Sequence, residues 1–295
     1  MTLLSPSRPV LIDGSAAIAA RYDGFVLDVW GVLHNGVAPY PGVVEALRHL
    51  HVLGKRVALL SNAPMRADKV AARVERIGIP RDLFQSVVTS GEEVWQNLVS
   101  RTDPFYAALG RHCLFLGPPR HDGMLDGLDL VPVPSAGEAD FILNTGPDDL
   151  DDSATLYRAA LETAAARGLP MVCANADLHV MVGGDRIACA GMMATVYEAM
   201  GGTVRWHGKP HDSVYAACLA QLGIADRSRI LCVGDSLRTD IAGAQAAGLD
   251  AMLVGGGIHA EELGLAAGGP LDPARVTALL RGRPQPRYVI GQLAW

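Results

Sequence analysis

Cysteines in metal-ligand spacing are absent. The chain of 295 residues carries five, Cys113, Cys173, Cys189, Cys218 and Cys232, and they are scattered. That pattern provides neither a disulfide framework nor a zinc site. The thiols read as small buried hydrophobes in a reducing compartment. No apolar run approaches the ~20 residues that a membrane-spanning helix needs. Residues 1–13 lack the long apolar core of a signal peptide, so a cytoplasmic location is expected. Positive charge is not in excess either. The net charge is −6, and a nucleic-acid partner would want a basic face. Internal repeats and low-complexity segments are also missing. What is present is an ordinary globular composition, 49% hydrophobic and 19% charged, in one large domain or two modest ones.

The chain is organised around Phe25-Val26-Leu27-Asp28-Val29-Trp30-Gly31-Val32-Leu33. Phe25 to Leu27 read as a short buried strand, because aromatic and β-branched residues dominate and no helical period fits. Asp28 stands where that strand leaves the core, and a buried charge is costly unless something pairs with it. It is either a cap for the following turn, or a nucleophile or metal ligand at the carboxyl end of a parallel strand.

Residues 5–22 read as an N-terminal helix. Val43, Val44, Leu47, Leu50 and Leu53 fall at helical spacing, and Gly54 closes that helix. Val57 to Leu60 form a second strand running into Ser61-Asn62. A helix over 67–77 follows, then a third short strand at Val87-Val88. From about residue 91 to 205 the α/β alternation continues with its own rhythm. Strands are expected at 113–116, 141–143 and 171–174, and helices at 151–166 and 191–200. This stretch suits an inserted domain. Beyond it, Pro210 opens a helix to Leu222. The strand Ile230 to Val233 ends in Gly234-Asp235, a helix covers 241–247, and a strand covers 251–254. Residues 259–295 read as helices and a terminal strand on the sheet edge.

Polar groups therefore gather at strand ends and one helix start: Asp28, Ser61-Asn62, Lys209, and Asp235 with Asp240. In a parallel sheet the strand ends share one edge. Each residue type suits phosphoryl transfer to an enzyme carboxylate. A carboxylate attacks phosphorus. A hydroxyl or amide and an ammonium hold the phosphoryl oxygens. Hard oxygen ligands suit Mg²⁺.

This ordered set resembles the haloacid dehalogenase (HAD) superfamily, in particular its class IIA branch of NagD-like and nitrophenyl-phosphatase-like proteins. The matching motifs are Asp28-Val29-Trp30-Gly31-Val32-Leu33, Ser61-Asn62, Gly208-Lys209-Pro210, and Gly234-Asp235-Ser236-Leu237-Arg238-Thr239-Asp240. The resemblance implies a doubly wound parallel α/β core at 1–90 and 206–295, with an inserted α/β cap at 91–205. It implies a Mg²⁺-dependent hydrolase of a small phosphorylated metabolite. Asp28 would be the nucleophile. Ser61 and Lys209 would bind phosphate, and Asn62 would support the loop. Asp28, the Trp30 backbone carbonyl, Asp235 and Asp240 would serve the metal, with Asp240 holding a metal water or orienting Lys209. A homodimer through the cap is compatible with the resemblance.

The chain departs from the family at one position. Phosphatases of this superfamily carry a second Asp two residues after the nucleophile, where it protonates the leaving group and activates water. Here that position is Trp30, and an indole is no acid or base at neutral pH. Weak activity on unactivated esters is therefore expected. His34 is the nearest titratable candidate to substitute, or else a loop histidine in contact with the cap. Two alternatives follow from Trp30. One is a catalytically impaired protein that binds a phosphorylated ligand. The other is hydrolysis of carbon–halogen or carbon–phosphorus bonds. Asn175-Ala176-Asp177 resembles the Asn-x-Asp loop near the substrate entrance of class IIA caps, or is a plain Asx turn. The run Gly255-Gly256-Gly257 reads as a tight turn rather than a dinucleotide fingerprint, because no βαβ unit follows it. His207 and His211 read as helix-start or pocket-lining residues.

Overall fold

The computed structural model describes residues 8–147, 157–182, 185–265 and 269–295. The strands, in chain order, are β1 Val10–Ile12, β2 Gly24–Asp28, β3 Arg56–Ser61, β4 Ser86–Thr89, β5 His112–Leu116, β6 Val131–Pro132, β7 Phe141–Asn144, β8 Pro170–Cys173, β9 His179–Val182, β10 Asp185–Ala188, β11 Thr203–Trp206, β12 Ile230–Gly234, β13 Asp250–Val254 and β14 Tyr288–Ile290. The chain divides into two compact units. One comprises Met1–Ser61, Ala71–Val88 and Tyr215–Trp295; the other comprises Asn62–Val70 and Thr89–Val214.

The first unit carries a seven-stranded sheet in the order β1-β14-β13-β12-β2-β3-β4. Its ladders from β1 through β3 are parallel. Every residue of β2 and of β12 is buried, as expected for strands covered on both faces. The helix Val43–Val52 covers the sheet with Val43, Ala46, Leu47 and Leu50, an i, i+3, i+4, i+7 stripe. The strand order reverses between β2 and β12: the chain proceeds outward through β3 and β4 on one side and through β13 and β14 on the other. This is the topological switch point, where open α/β sheets carry their ligands.

The second unit has its own five-stranded sheet, β11-β8-β7-β5-β6, and the hairpin β9–β10. Alternate residues point to opposite faces of a strand. Ile142, Met171 and Cys173 accordingly join one core with Leu161, Ala194 and Tyr197. Phe141, Leu143 and Val172 join another with Val94, Leu98 and Tyr106. The sheet is thus covered on both sides.

Several expectations are corrected. The N-terminal helix over 5–22 does not form across that range: 10–12 is a strand, and only Ala16–Ala19 is helical. Residues 5–7 lie outside the described residues. Val10 to Ile12 pair in parallel with Tyr288 to Ile290, an apolar run with two β-branched residues finding an open edge. Ser15 then hydrogen-bonds through N and Oγ to Ala294 O. The terminal strand is therefore one place in from the sheet edge. The expected helix 151–166 is described as Arg158–Ala166, with 151–156 outside the described residues. The helix expected at 241–247 begins as a widened turn, Leu237–Ile241, a distortion common at functional sites.

Candidate active site

β2 and β12 are neighbours at the switch point, with Leu27 opposite Val233. That register sets Asp28 level with the end of β12, where Asp235 follows. Asp28, Asp235 and Asp240 are all buried, at 7%, 8% and 5% exposure. One ligand oxygen from each lies within 4.8 Å of the others. Three carboxylates this close repel one another in a low dielectric. A divalent cation with hard oxygen ligands offsets that repulsion, and the donor set fits one.

The backbone is shaped to bring these groups together. Asp235 sits between two glycines: a Cβ on Gly31, at φ +83°, or on Gly257 would stand 2.1 Å from its Oδ2. Its Oδ2 accepts the N–H of Ile258 at 2.8 Å. A Cβ on Gly234 would stand 2.1 Å from Asp240 Cβ, and Asp240 Oδ2 accepts the Ser236 N–H at 3.1 Å. The glycine run after β13 is therefore part of how Asp235 is accommodated, in line with a turn and not a fingerprint. Behind Asp240, the buried Tyr215 hydroxyl donates to the Asp240 carbonyl at 3.1 Å. Burial pushes this phenol well up, and the charges of Asp240 and Asp28 add to the effect. Tyr40 is also raised, by burial and then by the charge of Asp235. Sequence reading missed both tyrosines, because no local pattern marks them.

Trp30 does not stand alone in its loop. Its ring meets the His34 ring edge-on at 5.2 Å between centroids, and the Arg73 guanidinium lies 5.2 Å from its centre. A Cβ on Gly36 would be 2.4 Å from the indole. His34 is 1% exposed, and its Nδ1 accepts the Gly36 N–H at 2.9 Å. Burial, reinforced by the Arg73 charge, lowers its pKa to about 4. At neutral pH it is an uncharged imidazole whose remaining ring nitrogen, Nε2, carries the proton. Ser61 ends β3 and is buried at 6%.

The second unit gathers the remaining predicted residues. Asn62, 3% exposed, accepts the Lys209 N–H through Oδ1 at 2.6 Å. Its Nδ2 donates to Lys209 O at 3.1 Å and to Asp177 Oδ1 at 3.0 Å. Asn175 Oδ1 accepts the Asp177 N–H at 2.8 Å, an Asx turn. That turn also presents Asp177 to Asn62. Gly208, at φ +91°, passes so close that a Cβ would stand 2.3 Å from Asn62 Oδ1. Lys209 itself is 3% exposed. His207 is buried in a hydrogen-bonded cluster, and among the described residues no helix is long and apolar enough to cross a membrane.

Residues 25–130 match the family described as haloacid dehalogenase-like hydrolase, and residues 206–290 match the family described as HAD-hydrolase-like. The crystal structure of a haloacid dehalogenase-like family hydrolase from Brucella suis 1330 is 32% identical. It superposes with a TM-score of 0.81, covering 96% of this chain and 99% of that one. A D-glycerol 3-phosphate phosphatase of Mycobacterium tuberculosis is 29% identical over 82% of this chain. This chain spans 65% of that relative's length. A 4-nitrophenylphosphatase of Schizosaccharomyces pombe is 25% identical over 86% of this chain and 90% of its own.

Proposed function

Because the chain belongs to the haloacid dehalogenase-like hydrolases, in their class IIA branch, we propose that it is a Mg²⁺-dependent phosphomonoesterase acting on a small phosphorylated metabolite. The observation that carries this reading is the convergence of three buried carboxylates at the switch point, with Asp28 first in the chain. Relatives named for glycerol 3-phosphate and 4-nitrophenyl phosphate support the substrate class.

In this reading a carboxylate oxygen of Asp28 attacks phosphorus. The bond from phosphorus to the leaving oxygen breaks, and an aspartyl-phosphate forms. Water then hydrolyses that acyl phosphate and returns Asp28 as a carboxylate. Ser61 and Lys209 bind the phosphoryl oxygens. Asn62 fixes the Lys209 backbone, and Asn175 and Asp177 form the loop on the substrate side. Asp28, Asp235, Asp240 and the Trp30 carbonyl hold the metal, which when bound offsets the charge of the phosphoryl group. The inserted segment 91–205 is the cap. Five cysteines, none in a disulfide, fit a reducing cytoplasm, and a homodimer is compatible with this assignment.

Trp30 supports a second element of the reading. The indole is packed against His34, Gly36 and Arg73, and His34 is an uncharged buried imidazole. Neither is poised to protonate an alkoxide, so esters with good leaving groups turn over faster than alkyl phosphates. If turnover is absent altogether, the same packing favours a protein that binds a phosphorylated ligand without hydrolysing it.

The test is release of phosphate from a panel running from 4-nitrophenyl phosphate to glycerol 3-phosphate, with Mg²⁺ present. Turnover that is lost on chelation is expected. No turnover on any ester, from folded and metal-loaded protein, overturns the hydrolase assignment.

A further inference from the structure

Glu93 lies on the helix Ser90–Ser100, its side chain only 14% exposed, and no step of the proposed reaction uses it. A carboxylate removed from water needs partners, and all of its partners come from one short stretch. Its Oε2 lies 2.9 Å from His207 Nδ1 and accepts the Gly208 N–H at 3.3 Å. The Ser213 side chain hydrogen-bonds to the same carboxylate. His207 Nε2 in turn meets the buried Tyr106 hydroxyl. Burial raises the Glu93 pKa, but the adjacent His207 and Ser213 side chains and the Gly208 N–H outweigh it and hold the carboxyl below its usual range.

Lys209 lies inside this stretch. Asn62 holds its N–H and its carbonyl, while Glu93 holds the residue before it. Gly208 is at φ +91°. Glycine adopts that region without strain but is not confined to it, so the loop takes its conformation from its anchors. A lysine ammonium is a point charge on a flexible stem. Its value to a phosphoryl group depends on a fixed backbone beneath it.

We propose that Glu93, with His207, is a positioning residue that clamps the Gly208–Lys209 backbone and so sets the Lys209 ammonium for phosphate binding. This rests on the reading of Lys209 as a phosphate ligand. The clamp is local to the second unit, and its effect reaches phosphate only through Lys209.

The experiment titrates inorganic phosphate into the full chain with Mg²⁺, by calorimetry, alongside amide hydrogen exchange across 207–211. Glu93→Ala is expected to weaken phosphate about tenfold, or ~1.4 kcal/mol, and to speed exchange in that stretch. Glu93→Gln, whose Oε1 still accepts the Gly208 N–H, is expected to recover most of both. In a Lys209→Ala background, Glu93→Ala is expected to cost no further affinity, as for residues acting through one another. Where Glu93→Ala does not fold, His207→Gln provides the same readouts. Unchanged exchange at 207–211, or an equal affinity loss with and without Lys209, overturns the inference. Wild-type protein that binds no phosphate overturns the reading beneath it instead, while the exchange data still judge the clamp.

Discussion

Asn62 holds both backbone polar groups of Lys209, accepting its N–H at 2.6 Å and donating to its carbonyl at 3.1 Å. The same amide donates to Asp177 Oδ1. Asn62→Asp keeps the acceptor and removes the donor. It also sets a second carboxylate against Asp177. The expected cost is about 1–3 kcal/mol of stability, read by denaturant unfolding, with a larger loss than Asn62→Ala. Equal losses would show that carboxylate repulsion at Asp177 is immaterial.

Gly257→Ala places a methyl group where Asp235 Oδ2 now sits. The carboxylate must move, and it is one of three that the proposal gives to the metal. Mg²⁺ affinity by calorimetry should fall by at least about tenfold, since metal sites tolerate little displacement of a ligand. Gly137→Ala, at a glycine outside the left-handed region whose added Cβ would meet only Ser135 Oγ at 3.5 Å, is the control. It should leave Mg²⁺ affinity unchanged.

Trp30→Asp restores a carboxylate at the position the family resemblance assigns to leaving-group protonation. General acid–base groups contribute roughly 10²–10⁴-fold. kcat on glycerol 3-phosphate should therefore rise toward that range, with a smaller gain on 4-nitrophenyl phosphate. The lost contacts with His34, Gly36 and Arg73 should lower stability by about 1–3 kcal/mol. A uniform change across both esters would argue that Trp30 acts only through packing.

His34 gives the fold a pH dependence of definite sign. Its pKa is lowered from 6.5 to about 4 in the folded protein. Above pH 6.5 both states hold it neutral, and it contributes nothing. As pH falls from 6.5 toward 4, the unfolded chain takes up a proton that the folded one refuses, and stability declines by a few kcal/mol. His34→Asn keeps an acceptor near the Nδ1 position and cannot titrate. The stability advantage of wild type over the variant, by unfolding at each pH, should shrink across that window. A parallel pair of curves would contradict the assignment.

Much of the core was legible because buried parallel strands are short apolar runs. Phe25–Leu27, Val57–Leu60, Ile230–Val233 and Ala251–Val254 all fall inside strands one or two residues longer. The polar residues that end those runs led directly to the carboxylate cluster. The N-terminal stretch misled because Ala16 to Ala20 suggest a helix, while Val10–Ile12 is a strand whose partner lies at the far end of the chain. No local pattern marks such a pairing. The hairpin β9–β10 was also missed, although its strands His179–Val182 and Asp185–Ala188 are neighbours in sequence. Glu93 and Tyr215 were invisible because their significance lies in residues distant in sequence, His207 and Gly208 for one, Asp240 for the other. Gly257 looked like a turn glycine, and only Asp235, which stands between it and Gly31, explains both positions.

The most direct test of the account is the intact mass of the protein quenched in acid during turnover of 4-nitrophenyl phosphate with Mg²⁺, followed by peptide mapping. A mass gain of one phosphoryl group, labile to hydroxylamine and located on Asp28, is expected. Asp28→Asn is expected to abolish both the adduct and turnover, the latter by on the order of 10⁵-fold or more. Sustained turnover by folded Asp28→Asn, or an adduct mapped to another residue, would contradict it.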